Sequence, residues 1–464
     1  VIEQKTYEDN QHNIATELKC HNINEYIFAP FDTFVFLDSD EIFSNKYENL
    51  RDQLIEYLTS ITPKFLQSKV QWMIEKSDPL KASKGVFSLP GSENSFISAK
   101  ITDFEDFYTL LELNEIEHVY STIVKPINIQ IYFNESGVGS CSLDLSLTSE
   151  SGLSVNMLDK ISESLNNLYK EYLEDICYEL TMLYVDAIKK VNVPHFTFSF
   201  IPDIKQVEKA KAFLPWTHRI YHVDDASLFE LENPGEPFKS LLTPIASTDV
   251  KNFAVYPNRY IYFGWGHSLI LSMNQGNKSQ PEFDVYNYIR LVQIAQTNWH
   301  CLDNISKLID LARISFYADT NKKKSKIKIL TKNIIKVRNF TKCMETILDS
   351  FDGINITFDT EKRRLLDQLH KRWLQQDLIQ KVRNKLTVIE EFLDFLYVRK
   401  KEQRDGSLNT ILSVITIISI VEVIKAFIEF SNPVFNFAPE FNLLSFVIGS
   451  MLSVVCILFI AFRE

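Results

Sequence analysis

Six cysteines are scattered through the 464 residues (Cys20, Cys141, Cys177, Cys301, Cys343 and Cys456), with no CxxC pair and no other zinc-ligand spacing. That pattern leaves out zinc ribbons and redox dithiols, and it reads as the reduced thiols of an intracellular chain rather than a disulfide frame. There is no P-loop, no GxGxxG after a strand and no Ser-His-Asp arrangement recognisable by spacing. Nothing therefore commits the chain to enzyme chemistry, and no catalytic residue is assigned. A cationic surplus is also missing: the net charge is −11, spread along the chain rather than held in a tail. Nonspecific duplex binding needs a cationic face, so no direct nucleic-acid partner is expected. The opening "VIEQKTYEDNQHN" lacks the apolar core of a signal peptide. Internal repeats and low-complexity tracts are absent as well.

What is present is concentrated at the other end. The last 58 residues are far more apolar than the rest. Two segments stand out as membrane spans, about 408–430 and 441–462, the second with no charge at all. The first would reach ~34 Å as a helix at ~1.5 Å per residue, enough for the bilayer core. Between them lies "SNPVFNFAPE", with Pro433 and Pro439, so the pair reads as a membrane hairpin. The alternative is two buried helices of a soluble core. Arg399, Lys400, Lys401 and Arg404 precede the first span, Arg463 follows the second, and the loop has no Lys or Arg. The positive-inside rule then puts both termini and the large N-terminal region in the cytoplasm.

The first span carries three charges, Glu422, Lys425 and Glu429. Its fourteen Leu, Ile, Val and Phe residues favour insertion by roughly 4–8 kcal/mol, while three mid-membrane charges cost roughly 7–10 kcal/mol. Facing lipid, such a helix would barely insert. Positions 422, 425 and 429 share one helical face, and that face continues inward through Ile418, Ile415 and Ile411. The economical arrangement turns this stripe toward other copies of the chain. Glu422, Lys425 and Glu429 then lie at an outer mouth, and the isoleucines form a constriction that blocks ions by dewetting. The alternative for Glu422 and Lys425 is an early helix end at the headgroups, with the lysine snorkelling.

Upstream the chain is predicted to form long helices over 283–318, 326–351 and 359–404. Within the last, Ile379, Val382, Leu386, Ile389, Leu393 and Leu396 recur in steps of three and four, a short heptad seam that slips near Trp373. The basic run "NKKKSKIKILTKNIIKVR" between the first two helices is either a solvated surface or an attractor of anions or of the inner leaflet. Strand-like runs occupy 34–37, 127–133, 140–147, 195–201 and 258–273, the last read as two strands around "GWG". Helical stretches intervene at about 46–60, 103–113 and 157–190. The fold class is thus α+β: a cytoplasmic α/β ligand-sensing domain (1–280), a long helical stalk (281–406) and a C-terminal two-helix transmembrane hairpin (407–464).

Three polar constellations offer groups that chemistry could use. "FVFLDSDEIF" places Asp38 and Asp40 after an apolar strand, as in phosphatases of the haloacid dehalogenase type, but Glu41 stands where Thr or Val is usual and no later motif follows; a strand-end turn is the plainer reading. His218 and His222 with Asp224 and Asp225 would suit a metal only on a helix, and their neighbours read as strand, so no metal ligand is assigned. Trp216, His218, Arg219, Trp265 and His267 offer aromatic faces and a guanidinium that suit a nucleotide; ordinary packing is the alternative.

The order of parts resembles the CorA family of magnesium channels, most strongly over 283–464. "SLNTILSVITIISIV" resembles that family's first span and "APEF" its acidic loop end. The resemblance implies a homo-oligomer, usually a pentamer, with the first span lining the pore. Magnesium-transporting members carry Gly-Met-Asn at the outer end of that span; here the stretch reads "IEFSNPVFNF". Divergent CorA-like proteins without the motif resemble membrane effectors of type III CRISPR defence, opened by a nucleotide messenger such as SAM-AMP. That resemblance implies the inner (plasma) membrane of a prokaryote and a small nucleotide ligand. Three readings follow: an antiviral effector channel gated by a SAM-AMP-type nucleotide, a divalent-cation (magnesium) channel or transporter, and a membrane-anchored scaffold without a pore.

Overall fold

A computed structural model describes residues 18–38, 49–64, 69–73, 95–105, 124–198, 200–201, 213–242, 251–273, 285–320, 327–349, 351, 359–435, 447, 449 and 451. The N-terminal part is built on a mixed sheet. Its strands are β1 (Lys19–Leu37), β2 (Val70–Met73), β3 (Ser95–Ile101), β4 (Val124–Asn134), β5 (Ser136–Ser154), β6 (His195–Phe196), β7 (His218–Asp224), β8 (Arg259–Phe263) and β9 (His267–Ser272). The spatial order is β2-β3-β4-β5-β1-β7-β9-β8, with β6 pairing the far end of β1. All described pairings are antiparallel except β7 with β9.

Period-2 patterning explains the strands. In β5, Cys141, Leu143, Leu145 and Leu147 point to one buried face, while Ser140, Ser142 and Asp144 are buried on the other. The long β1–β5 pairing runs from Lys19↔Ser154 to Phe36↔Ser136. Gly139 lets the sheet close over Phe31: a Cβ there would lie 2.3 Å from that ring and 2.9 Å from the Tyr132 carbonyl oxygen.

Helices cover both faces. On one side lie α1 (Leu50–Ile61) and α2 (Val155–Val191). Leu158, Ile161, Leu165 and Leu173 of α2 share a core with Ile23, Ile27, Leu143, Leu145, Tyr221 and Leu269 of the sheet. The helix starts where Ser154 accepts a hydrogen bond from the Met157 amide at 3.2 Å, and it ends at Asn192 in the left-handed region, φ 55°. On the other side, α3 (Val285–Thr320) brings Tyr288, Ile289, Val292 and Ala295 against Tyr26, Ile220, Ile261 and Ile270. The helix α5 (Thr360–Arg372) adds Leu365, Leu366 and Leu369 to the same core. The remaining helices are α4 (Ile327–Asp349) and α6 (Gln375–Phe435).

The chain divides into two compact units, Val1–Ser315 with Arg338–Thr387, and Phe316–Val337 with Val388–Glu464. This differs from the sequence reading of 281–406 as a separate stalk. The apolar faces of α3 and α5 are buried against the sheet, so α3 up to Ser315 and the whole of α5 belong to the first unit.

Other expectations were corrected. Only His195–Phe196 of the 195–201 run is strand, because pairing with β1 ends at Leu37↔His195 and Phe36↔Phe196. The helix expected over 359–404 breaks at Trp373–Leu374, where Leu374 takes φ 53°. The first span was expected to stop at 430, but α6 continues through Pro433 to Phe435; in the last turn a proline removes only one ladder bond. Most of the 103–113 helix and of the 441–462 span, Asp40, the N-terminal stretch and residues 321–326 of the basic run lie outside the described residues.

Candidate functional site

The apolar C-terminal part of α6 comes first. Leu408–Ala426 is long and apolar enough to cross a membrane, ~28 Å at ~1.5 Å per residue, and none of that window is buried within the chain. Ile411, Ile415 and Ile418 are each about half exposed, and Glu422 and Lys425 are exposed on the same helical face. Glu429 lies on the helix backbone; its side chain is outside the described residues. Upstream on the same helix the seam is buried at Val382, Leu386, Ile389 and Leu393. Lys385 ties this part of α6 to α3, donating to Asp310 at 2.7 Å and to the Ser306 hydroxyl at 2.8 Å.

A second constellation surrounds the start of α6. His218 is fully buried on β7; its Nε2 lies 2.9 Å from the Ser268 hydroxyl and its Nδ1 3.2 Å from the Gln296 amide nitrogen. Gln296 also accepts from the Trp216 indole at 2.9 Å. Trp216 meets Trp299 and His300 edge to face, and the His218 ring meets Trp373 at 5.6 Å. Trp373 then donates to the Gly264 carbonyl at 3.3 Å, while Trp299 donates to the Trp373 carbonyl at 3.2 Å. The left-handed Leu374 that starts α6 is thus held against the β8–β9 turn. Burial holds the His218 pKa down at about 3, with the nearby His267 adding to the effect, so the ring is a neutral packing and hydrogen-bonding group.

A third lies on the opposite face of the sheet. Glu25, fully buried, accepts from the Ser162 hydroxyl at 2.8 Å. Arg219 donates to the same hydroxyl and stands 3.9 Å from Glu25. Ser162 has one proton and gives it to Glu25, so Tyr221, 2.5 Å away, donates to it. His267 stacks on Tyr221, with centroids 6.2 Å apart. Burial raises the Glu25 pKa, opposed first by Arg219 and then by the Ser162 hydrogen bond; burial, then Arg219, lowers His267 to about 4.

The five aromatic and basic residues singled out in the sequence are therefore divided by the sheet. Trp216 and His218 face α3, Arg219 faces α2 beside His267, and Trp265 is 60% exposed in the turn between β8 and β9. Sequence reasoning missed Gln296, Trp299 and Glu361. For Trp373 the slip in the heptad seam was a usable signal. Glu361 on α5 binds Arg259 in a buried pair (2.8 and 3.3 Å), accepts from the Tyr288 hydroxyl at 2.6 Å and from the Val255 amide at 3.1 Å. It pins α5, and so the approach to α6, onto the sheet.

His218 and His222 sit four residues apart on a strand, ~13 Å at ~3.3 Å per residue, too far to share an ion. His222 Nε2 lies 2.8 Å from the Ser272 hydroxyl, and Asp225 caps a 3-10 turn through the Ser227 amide. No group of three potential metal ligands occurs among the described residues. Asp38 donates its amide to the Pro194 carbonyl at 3.0 Å, beside the last pair of β1 with β6.

No protein-family model matches the chain, and no curated protein matches it. Among solved structures, it is similar to the CorA magnesium transporter from Methanocaldococcus jannaschii. The likeness covers 58% of this chain and 93% of that one, at 14% identity and a TM-score of 0.24. At that score it is a distant likeness and assigns neither activity nor site residues.

Proposed function

We propose that the chain is one subunit of a homo-oligomeric membrane channel laid out like CorA proteins. The first span of α6 lines the path, and the α/β unit acts as a cytoplasmic sensor. The carrying observation is the Leu408–Ala426 window, none of which is buried by the described residues. An exposed apolar surface of this length needs a lipid or protein cover. Lipid covers the apolar sides but not Glu422, Lys425 and Glu429, so their stripe turns to neighbouring copies. Glu422 and Glu429 against Lys425 leave a net charge of −1 per subunit at the outer mouth, which favours cations, and a divalent cation such as magnesium is the first choice of cargo. The test is cross-linking of the purified chain in detergent, followed by cation and anion flux in proteoliposomes. A monomeric chain without flux removes the proposal.

A second reading is favoured by one feature, the "IEFSNPVFNF" stretch where Gly-Met-Asn would stand. In that reading the channel is a type III CRISPR effector that opens on binding a nucleotide messenger of the SAM-AMP type. Growth rescue of a magnesium-transport-deficient strain supports the first reading; calorimetric binding of SAM-AMP or cyclic oligoadenylates without rescue supports the second.

A further inference from the structure

Near the far end of β1 the sheet is distorted. The β1–β5 register shifts between Asp32 and Phe36, and Phe34 takes φ 55°, a conformation that costs a residue with a Cβ roughly 1–2 kcal/mol. Such a conformation persists only where its surroundings enforce it, and functional sites are where it collects. Here it borders an open cleft of about 250 Å³, lined by Phe34 and Val35 of β1, Ile188 and Lys189 of α2, and His195 to Phe198 with Ile201.

The sequence "HFTFSF" explains one wall. Phe196, Phe198 and Phe200 form a ladder of near-parallel rings, at 6.1 and 5.6 Å between successive centroids, that ends in a turn where the Ile201 amide donates to the Phe198 carbonyl. Phe198 and Phe200 are fixed edge to face against Phe340, which is fully buried. The ladder is thus rigidly backed, while Phe196 at its end is only half-buried and lines the cleft. His195 is oriented by its Nδ1 on the Val193 carbonyl at 2.7 Å. At the rim, Lys189 is exposed.

We propose that this cleft binds a planar aromatic group carrying an anion, the chemistry of a purine nucleotide. The base lies on Phe196 and the phosphate is met by Lys189. The volume, just under the ~300–1,000 Å³ of drug-sized pockets, suits one nucleobase rather than an extended ligand. Aromatic faces take any base, and a rim ammonium supplies a point charge for the phosphate. This rests on the α/β unit being a ligand sensor, and it places that sensor apart from the Trp216/His218 and Arg219/His267 groups.

The test uses the full chain in detergent, with AMP and adenosine as probes in calorimetry, so that binding is read without ion flux. Wild type binds AMP more tightly than adenosine. Lys189→Glu weakens AMP at least tenfold and leaves adenosine within twofold. Phe196→Ala weakens both at least fivefold, and Lys160→Glu, an exposed change elsewhere on α2, alters neither. Far-UV circular dichroism confirms that each variant is folded. Absence of AMP binding in wild type, or AMP affinity unchanged in both Lys189→Glu and Phe196→Ala, overturns the site. A protein that conducts ions but binds no nucleotide loses this site and keeps the channel; one that binds AMP but conducts nothing does the reverse.

Discussion

Buried polar residues carry much of the specificity of the α/β unit, and their effects are separable by pH. Burial holds His218 at about 3 and His222, His267 and His370 at about 4. In the unfolded chain each takes up a proton near pH 6.5. Between pH 6.5 and 4 the unfolded state therefore binds more protons, and stability falls as the pH drops, by ~1.4 kcal/mol per pH unit per histidine. Asp144 has the opposite sign. Burial raises its pKa to about 6 against the pull of Asn128 and Lys100, so its contribution is present at low pH and lost as the pH rises from ~4 to 6. Burial raises Glu25 and Asp159 in the same sense, but the four histidines outnumber these three acids, so the urea midpoint should be lower at pH 5 than at pH 7, and His218→Gln should shrink that difference. An equal midpoint at both pH values would show that these histidines are not buried neutral. Glu361 gives a sharper residue-scale test. Glu361→Ala strands the buried Arg259 guanidinium and should cost ~3–5 kcal/mol, read as a shift in the denaturation midpoint. None of these partnerships is visible in the sequence, because Glu361 lies 102 residues from Arg259 and Gln296 lies 78 from His218.

At the scale of elements, what was legible is what repeats. The three-and-four spacing from Ile379 to Leu396 marks a helix and its apolar stripe; Val382, Leu386, Ile389 and Leu393 are buried, while Ile379 and Leu396 at its ends are only partly so. The "GWG" between two strand-like runs marks the β8–β9 hairpin. β1 was read only from residue 34 because its earlier half is polar and contains Pro30, a strand breaker. Pro30 is tolerated two residues beyond Phe28, where pairing with β7 ends. The break between α5 and α6 was visible only as a slipped seam, since Leu374 has no sequence mark of a left-handed residue. That position yields a prediction. Leu374 is 58% exposed at φ 53°, so Leu374→Gly relieves strain while losing little packing. It should leave stability unchanged or raise it by up to ~1 kcal/mol, measured by chemical denaturation. A loss of more than that would mean that the exposed leucine is covered in the assembled protein.

For the whole molecule, the uncovered window of α6 decides the account. Its apolar residues resemble those of a buried helix in composition, yet none of the window is buried by the described residues. Length and hydropathy made this apolar helix legible from sequence, whereas whatever covers its charged face leaves no local signature. The measurement that tests the central claim most directly is ion flux in proteoliposomes for wild type against Ile415→Asp, at equal reconstituted protein. A ring of isoleucines around a shared axis predicts low resting flux in wild type and a large, lasting cation leak once a carboxylate wets that ring. Equal flux in the two proteins, with both shown to be inserted, would contradict a pore at this face of α6.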